Sequence, residues 1–202
     1  AIDGPALIID PGSTTVIEPG WQAKLAAEGS LVLTRTTPLE RDRAAGTQVD
    51  PVRLEMFNNL FMAIAEEMGV VLQSTATSVN IKERLDFSCA IFNPNGMLVA
   101  NAPHIPIHLG SMSESIRTVL TENRGVMKPG DVYVVNAPYN GGTHLPDVTA
   151  ITPVFDKAAD SILFFVASRG HHADIGGRTP GSSPPDSKTV EEEGILFDNF
   201  KM

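Results

Sequence analysis

From Asp50 to Leu72 the chain carries one long stretch of helical periodicity, and this stretch limits the possible folds more than any other feature. Phe57, Leu60, Phe61, Ile64, Met68, Val71 and Leu72 recur at steps of three and four, while Asn58, Glu66 and Glu67 fall mostly elsewhere. Apolar residues at that period line one face of a helix. Asp50 has the short carboxylate of an N-cap, and Pro51 has the fixed φ of a first turn. The pattern predicts an amphipathic helix of about twenty residues whose Met and Phe stripe is core, not a cofactor contact. Such a helix needs a sheet or a second helix to cover its apolar face.

Short strands surround it. Over residues 1–36, Leu7-Ile-Ile9, Thr14-Thr-Val-Ile17 and Leu31-Val-Leu33 alternate with the turns Asp10-Pro-Gly-Ser13, Glu18-Pro-Gly20 and Glu28-Gly-Ser30. This is a small β unit, too short to hold much core of its own. Residues 37–49 are polar and unpatterned and read as a linker, leaving 50–202 as the second domain. There, Phe87–Phe92 and Met97–Ala100 flank Asn93-Pro-Asn-Gly96 as a β-hairpin. Ser111-Met-Ser-Glu114 matches a reciprocal capping box that starts a shorter second helix through Ile116, Val119 and Leu120. Asp131–Val135, Thr149–Phe155 and Ile162–Ala167 read as further strands, and 178–193 is rich in Pro, Ser and Gly, then acidic. The expected class is α+β: a mixed sheet with a long packing helix, preceded by a small β segment.

The chain has 24 Asp and Glu against 15 Lys and Arg, a formal charge of −9. A field of that sign repels phosphate backbones, and no basic stripe interrupts it, so no nucleic-acid partner is expected. No apolar run is long enough to span a bilayer and no signal peptide opens the sequence, so no membrane partner is expected either. The single cysteine, Cys89, cannot form an internal disulfide; it favours a reducing compartment and reads as a small core residue, not a nucleophile. Both termini read as cuts within a longer polypeptide.

The chemistry-bearing residues gather late in the chain. Asn136-Ala-Pro-Tyr-Asn-Gly-Gly-Thr-His-Leu-Pro-Asp147 and Ser168-Arg-Gly-His-His-Ala-Asp-Ile-Gly-Gly177 carry three of the five histidines on glycine-rich segments after strand-like runs. Imidazole with carboxylate suits a divalent cation such as Mn²⁺, Zn²⁺ or Mg²⁺. Pro146 excludes a continuous helix through His144 and Asp147, so a turn must aim both at one point. The alternative is that His144 hydrogen-bonds a loop carbonyl and Asp147 caps a turn. His171 and His172 sit at a strand end, where neighbouring side chains diverge; one can ligate while the other faces substrate, and Asp174 can orient a ring nitrogen. Two polar loop residues are the equal alternative.

Glu83, Arg84 and Asp86 precede a buried strand, as a solvated turn or as a further carboxylate ligand (Glu83) with Asp86 or Arg84 on substrate. His104 and His108 have helical ligand spacing, but Pro106 argues against a helix; one lines the site and the other is structural. Gly141-Gly142 and Gly176-Gly177 match neither a P-loop nor a dinucleotide fingerprint, so no visible motif binds ATP.

Four motifs, Asn80-Ile-Lys-Glu-Arg-Leu-Asp-Phe-Ser-Cys-Ala90, Asn101-Ala-Pro-His-Ile-Pro-Ile-His-Leu-Gly110, Gly142-Thr-His-Leu-Pro-Asp147 and Ser168–Gly177, resemble the hydantoinase B half of the ATP-dependent 5-oxoprolinase family. The likeness runs from about Asp50 to the end, and residues 4–33 resemble the last β segment of the hydantoinase A half. The resemblance implies that the A half, of which only the last β segment is expected here, binds ATP and phosphorylates the amide oxygen of a cyclic substrate. The B half then completes ring opening by water, giving glutamate from 5-oxoproline with ADP and phosphate. It implies His144, Asp147, His171 and Glu83 as metal ligands, His172 and Asp86 as the catalytic pair, and Arg84, His108 and Arg169 as substrate contacts. It also implies a cytoplasmic enzyme of glutathione metabolism, working with the rest of its own chain and a homodimer at full length. Two other readings stand beside it: a hydantoinase or acetone carboxylase relative with a different substrate, and a metal-free structural or assembly domain.

Overall fold

The computed structural model describes residues 1–37, 50–182 and 184–202; the expected linker lies almost wholly outside them. Its contacts divide the chain into two units, Ala1–Val49 and Asp50–Met202.

The first unit holds five short strands, β1 (Ile2–Asp3), β2 (Ala6–Asp10), β3 (Ser13–Ile17), β4 (Trp21–Leu25) and β5 (Leu31–Arg35). They form a β2–β3 hairpin and an antiparallel β1–β4–β5 sheet. Of its described apolar side chains only Ile17 and Ala23 are fully buried, as expected of so small a unit.

The second unit opens with α1 (Pro51–Thr75), whose N-cap Asp50 accepts from the backbone N–H groups of Val52 and Arg53. Only Ala65 and Gly69 of α1 are buried; Phe61, Ile64, Met68 and Leu72 are half-buried, and Phe57, Leu60 and Val71, expected in the core, are exposed. The small residues are the contact points, because they let the helix backbone approach the sheet. A Cβ at Gly69 would stand 2.7 Å from the His104 ring and 3.0 Å from Phe87. Beyond α1 come α2 (Val79–Lys82), the hairpin β6 (Phe87–Phe92) and β7 (Leu98–Asn101), and α3 (Pro106–Glu122). After α3 come β8 (Tyr133–Val135), β9 (Asp147–Phe155), β10 (Ile162–His171) and β11 (Phe200–Lys201).

The six strands pair in the order β11–β8–β9–β10–β6–β7, and every pairing is antiparallel. The α+β class and the packing helix stand, but the sheet expected as mixed has no parallel pair among the described residues. Of these pairs, β6–β7 and β9–β10 are joined by short turns, which need no crossover. α1 and α2 cover one face, where Met68, Leu72 and Ile81 meet Phe87 and Cys89. α3 covers the other, where Met112, Ile116 and Val119 meet Ala90, Phe92, Ile151, Phe165 and Ala167. Strand β6 is therefore buried on both sides along its whole length, Ser88 included.

Two expectations fail at α3. Pro106 starts this helix instead of preventing it, because a first-turn residue needs no N–H partner. The helix thus begins five residues before the presumed capping box, and Ser111 lies inside it, its hydroxyl bonded to the Ile107 and His108 carbonyls.

Candidate metal centre

The register of β6, β9 and β10 organises the α3-facing side of the sheet into rows. Residues two apart along a strand share a face, so Phe165, Ala167, Arg169 and His171 of β10 all lie under α3. Across from them stand Ala90 and Ile151 beside Ala167, Ser88 and Thr149 beside Arg169, and Asp147 beside His171. The ladder continues one step further, where the His171 N–H donates to the Asp86 carbonyl at 3.0 Å. The face thus runs from an apolar floor to a row of two carboxylates flanking an imidazole. Strand β10 extends four residues past its expected end at Ala167, so His171 is a strand residue and not part of the following loop.

Two more histidines reach that row. His108, in the first turn of α3, places Nε2 3.4 Å from Asp147 Oδ2 and 3.6 Å from Asp86 Oδ1. His144, on the loop before β9, places Nδ1 3.1 Å from Asp147 Oδ2, while His171 Nδ1 stands 3.3 Å from Asp147 Oδ1 and 3.6 Å from Asp86 Oδ2. The Thr143 hydroxyl donates to Asp147 Oδ2 at 3.1 Å. The loop is held at its base by the fully buried Asn136, whose amide donates to Leu145 O and Ile195 O and accepts from the Phe197 N–H. Its tip packs on α3 through Gly141, at φ +88°, where a Cβ would stand 2.8 Å from Ser115 Cα.

Asp147 is the centre of the arrangement. Burial pushes its carboxyl up, but the His108 and His144 imidazoles outweigh that and hold it well below the usual carboxylate range. Asp147 raises the pKa of His144 in turn, chiefly by hydrogen bonding. Asp147 Oδ1 is buried with no hydrogen-bond partner, although such groups are nearly always satisfied. One ligand atom from each of His144, Asp147 and His171 lies within 4.8 Å of the other two. An anionic oxygen lacking a donor, faced by imidazole nitrogens, fits a divalent cation of the Mn²⁺ or Zn²⁺ kind. The His108 and Asp147 side chains are 5% exposed against 49% for His144, so the cluster is closed behind and open in front.

The other expected site residues go elsewhere. Glu83 and Arg84 are exposed at the end of α2 and do not join the group. Arg169, expected on substrate, is fully buried: Nε donates to Thr149 Oγ1 at 2.7 Å, Nη2 to Ser115 Oγ at 2.8 Å and Nη1 to the Ser111 hydroxyl. His108 is likewise too enclosed to line an open pocket. His172 is exposed, with its N–H donating to Pro146 O. Asp174 serves its own loop, accepting from Gly176 N and the Ser182 hydroxyl instead of orienting a histidine, because the chain turns away after the strand. His104 is structural: its Nδ1 accepts from the Cys89 N–H at 3.0 Å. Spacing in the sequence does not single out the supporting hydroxyls of Ser88, Ser111, Ser115, Thr143 and Thr149. Ser111 and Ser115, four apart on a face shared with Met112 and Val119, were the one visible sign of a polar patch under α3.

Residues 50–202 match the family model described as Hydantoinase B/oxoprolinase. The chain is 51% identical over 199 residues to 5-oxoprolinase 1 of Arabidopsis thaliana, covering 98% of this chain and 16% of that protein. It is 49% identical over 203 residues to 5-oxoprolinase of Dictyostelium discoideum, covering 100% and 16%. Among solved structures it resembles an ATP-dependent caprolactamase from Pseudomonas jessenii, with a TM-score of 0.68 and 30% identity over 77% of this chain and 26% of that one. The chain therefore spans about a sixth of the length of these curated relatives. On the family match across its second unit, this chain belongs to the Hydantoinase B/oxoprolinase family.

Proposed function

We propose that this chain supplies the ring-opening site of an ATP-dependent 5-oxoprolinase, which hydrolyses 5-oxo-L-proline to L-glutamate as ATP becomes ADP and phosphate. The observation that carries the reading is Asp147: a buried carboxylate with one oxygen that accepts no hydrogen bond, set among the ligand nitrogens of His144 and His171. In this reading those three residues hold a divalent cation. Asp86 takes the fourth position expected of Glu83, because its Oδ2 stands 3.6 Å from His171 Nδ1 whereas Glu83 is exposed. A bound cation would lower the pKa of a water and stabilise the charge that develops on the carbonyl oxygen.

The rest falls to the protein. An amide resists water because nitrogen donates into the carbonyl; phosphorylation of the amide oxygen by the ATP-binding half of the longer chain removes that donation. One water then adds to the activated carbon and the C–N bond breaks as the nitrogen gains a proton, which leaves an acyl phosphate; a second water cleaves that to the free carboxylate and phosphate. His172, exposed beside the cluster, is assigned to carry protons. His108 spans Asp86 and Asp147 from behind and keeps both aimed forward. The reading carries with it a cytoplasmic location, a place in glutathione metabolism and a homodimer of full-length chains.

The test uses the full-length protein, with metal analysis beside an ADP-release assay. His144→Ala and Asp147→Ala should each lose the bound metal and about a hundredfold or more of 5-oxoproline turnover, while Glu83→Ala keeps both. Metal content untouched by the first two substitutions would sink the assignment and leave a metal-free structural domain. Turnover of a hydantoin in place of 5-oxoproline would keep the site and change the substrate.

A further inference from the structure

Arg169 is the largest fully buried side chain of the second unit and carries a charge that the proposed reaction does not use. Its partners are three hydroxyls, those of Thr149, Ser111 and Ser115, and among the described residues no carboxylate pairs with it. Hydroxyls satisfy a guanidinium's hydrogen bonds but do not neutralise it, and an unbalanced buried charge is costly. The nearest buried anion along the sheet is Asp147, one step from Thr149 on the same face of β9, and the two charges attract through space.

The hydroxyls are also junctions. Ser115 Oγ accepts from Arg169 and donates to the Gly141 carbonyl, at the tip of the loop that delivers His144. Ser111 Oγ accepts from Arg169 and bonds back to the Ile107 and His108 carbonyls in the first turn of α3. Thr149 lies two residues from Asp147, and Arg169 two residues from His171. One planar fork, on the strand that carries His171, therefore contacts the strand of Asp147 and the helix of His108 directly, and the loop of His144 through Ser115. The planar guanidinium suits this task, since its donors diverge at fixed angles.

We infer that Arg169 is the positioning residue of the His/Asp cluster, fixing the spacing between strand, helix and loop so that the ligand atoms converge. The inference rests on the metal-binding reading of the same cluster. Arg169 touches no substrate; it acts through Ser115 and Gly141 on His144, and through Thr149 on Asp147.

The test is a double-mutant cycle on the metal-stripped full-length protein, titrated calorimetrically with Mn²⁺ or Zn²⁺, whichever the wild type binds more tightly. Arg169→Met should weaken binding about 10- to 100-fold, the range for residues that orient metal ligands. Ser115→Ala should weaken it by a smaller factor. The double variant should bind within about twofold of Arg169→Met, since both substitutions cut one linkage. Ser113→Ala, on the same helix, should bind as the wild type does. Wild-type affinity in Arg169→Met, or losses in the double variant that multiply, would overturn the inference; a general structural role would lower melting temperature without changing the affinity of the folded protein. Should Arg169→Met fail to fold, Ser115→Ala decides alone, and wild-type affinity there counts against the linkage. If the wild type binds neither ion, the metal reading itself falls and takes this inference with it; failure confined to the variants leaves that reading intact.

Discussion

Burial pushes up both Asp147 and Cys89, two ionisable residues of one sheet, yet the two end on opposite sides of their ordinary values. Both lose solvation on folding. Asp147 recovers more than it loses because His108 and His144 stand against its carboxylate, so it stays ionised. Cys89 sits on the opposite face beneath α1 with nothing cationic to offset desolvation, and its thiol is pushed up to about 12. The neutral thiol is therefore the stable form throughout the ordinary range, and thiolate is the reactive species. Native protein should show no reaction with a disulfide reagent at pH 8, and full reaction once denatured. Rapid labelling of the folded protein would mean that this strand is not covered as described.

At the scale of elements, two glycines on different helices should respond oppositely to the same substitution. Gly69 lets α1 approach β6, and a Cβ there would meet the His104 ring at 2.7 Å, disturbing the bond from Cys89 N–H to His104 Nδ1. The substitution Gly69→Ala should destabilise by about 1–3 kcal/mol, the overpacking cost exceeding the gain in helix propensity. Gly110, in α3, has nothing within 4 Å of such a Cβ. There Gly110→Ala should stabilise by about 0.4–1 kcal/mol, because the unfolded chain loses freedom while the folded helix loses nothing. Urea unfolding of both variants measures the pair; stabilisation by Gly69→Ala would refute the packing assigned to α1. Element ends were also where sequence patterns misled, because a proline that stops a helix in its middle begins one at its first turn.

Across the whole molecule, the proposed reaction divides between this chain and something larger. His144, Asp147 and His171 bring one ligand atom each within 4.8 Å of the others, but no nucleotide-binding fingerprint appears in 202 residues that span 16% of the related 5-oxoprolinases. These residues alone should release no ADP in the presence of 5-oxoproline while still binding Mn²⁺ or Zn²⁺, and the full-length protein should do both. ADP release from this piece alone would refute the division of labour. The exposed apolar residues of the first turns of α1, Val52, Leu54, Met56 and Phe57 among them, lie outside both core clusters of the unit.

Local pattern was enough for the helix from Asp50, the hairpin around Asn93-Pro-Asn-Gly96 and the pairing of histidine with aspartate near residues 144 and 171, since each depends on neighbours in sequence. Which residues would meet was decided by strand register and by the first turn of α3. Asp86 reaches His171 because β6 and β10 pair with those two residues at one end, whereas Glu83, three positions earlier, remains in solvent. The fate of Arg169 was equally invisible, because its partners are 20, 54 and 58 residues away. Residue type and spacing encode what a side chain can do; convergence across such separations is a property of the folded sheet alone.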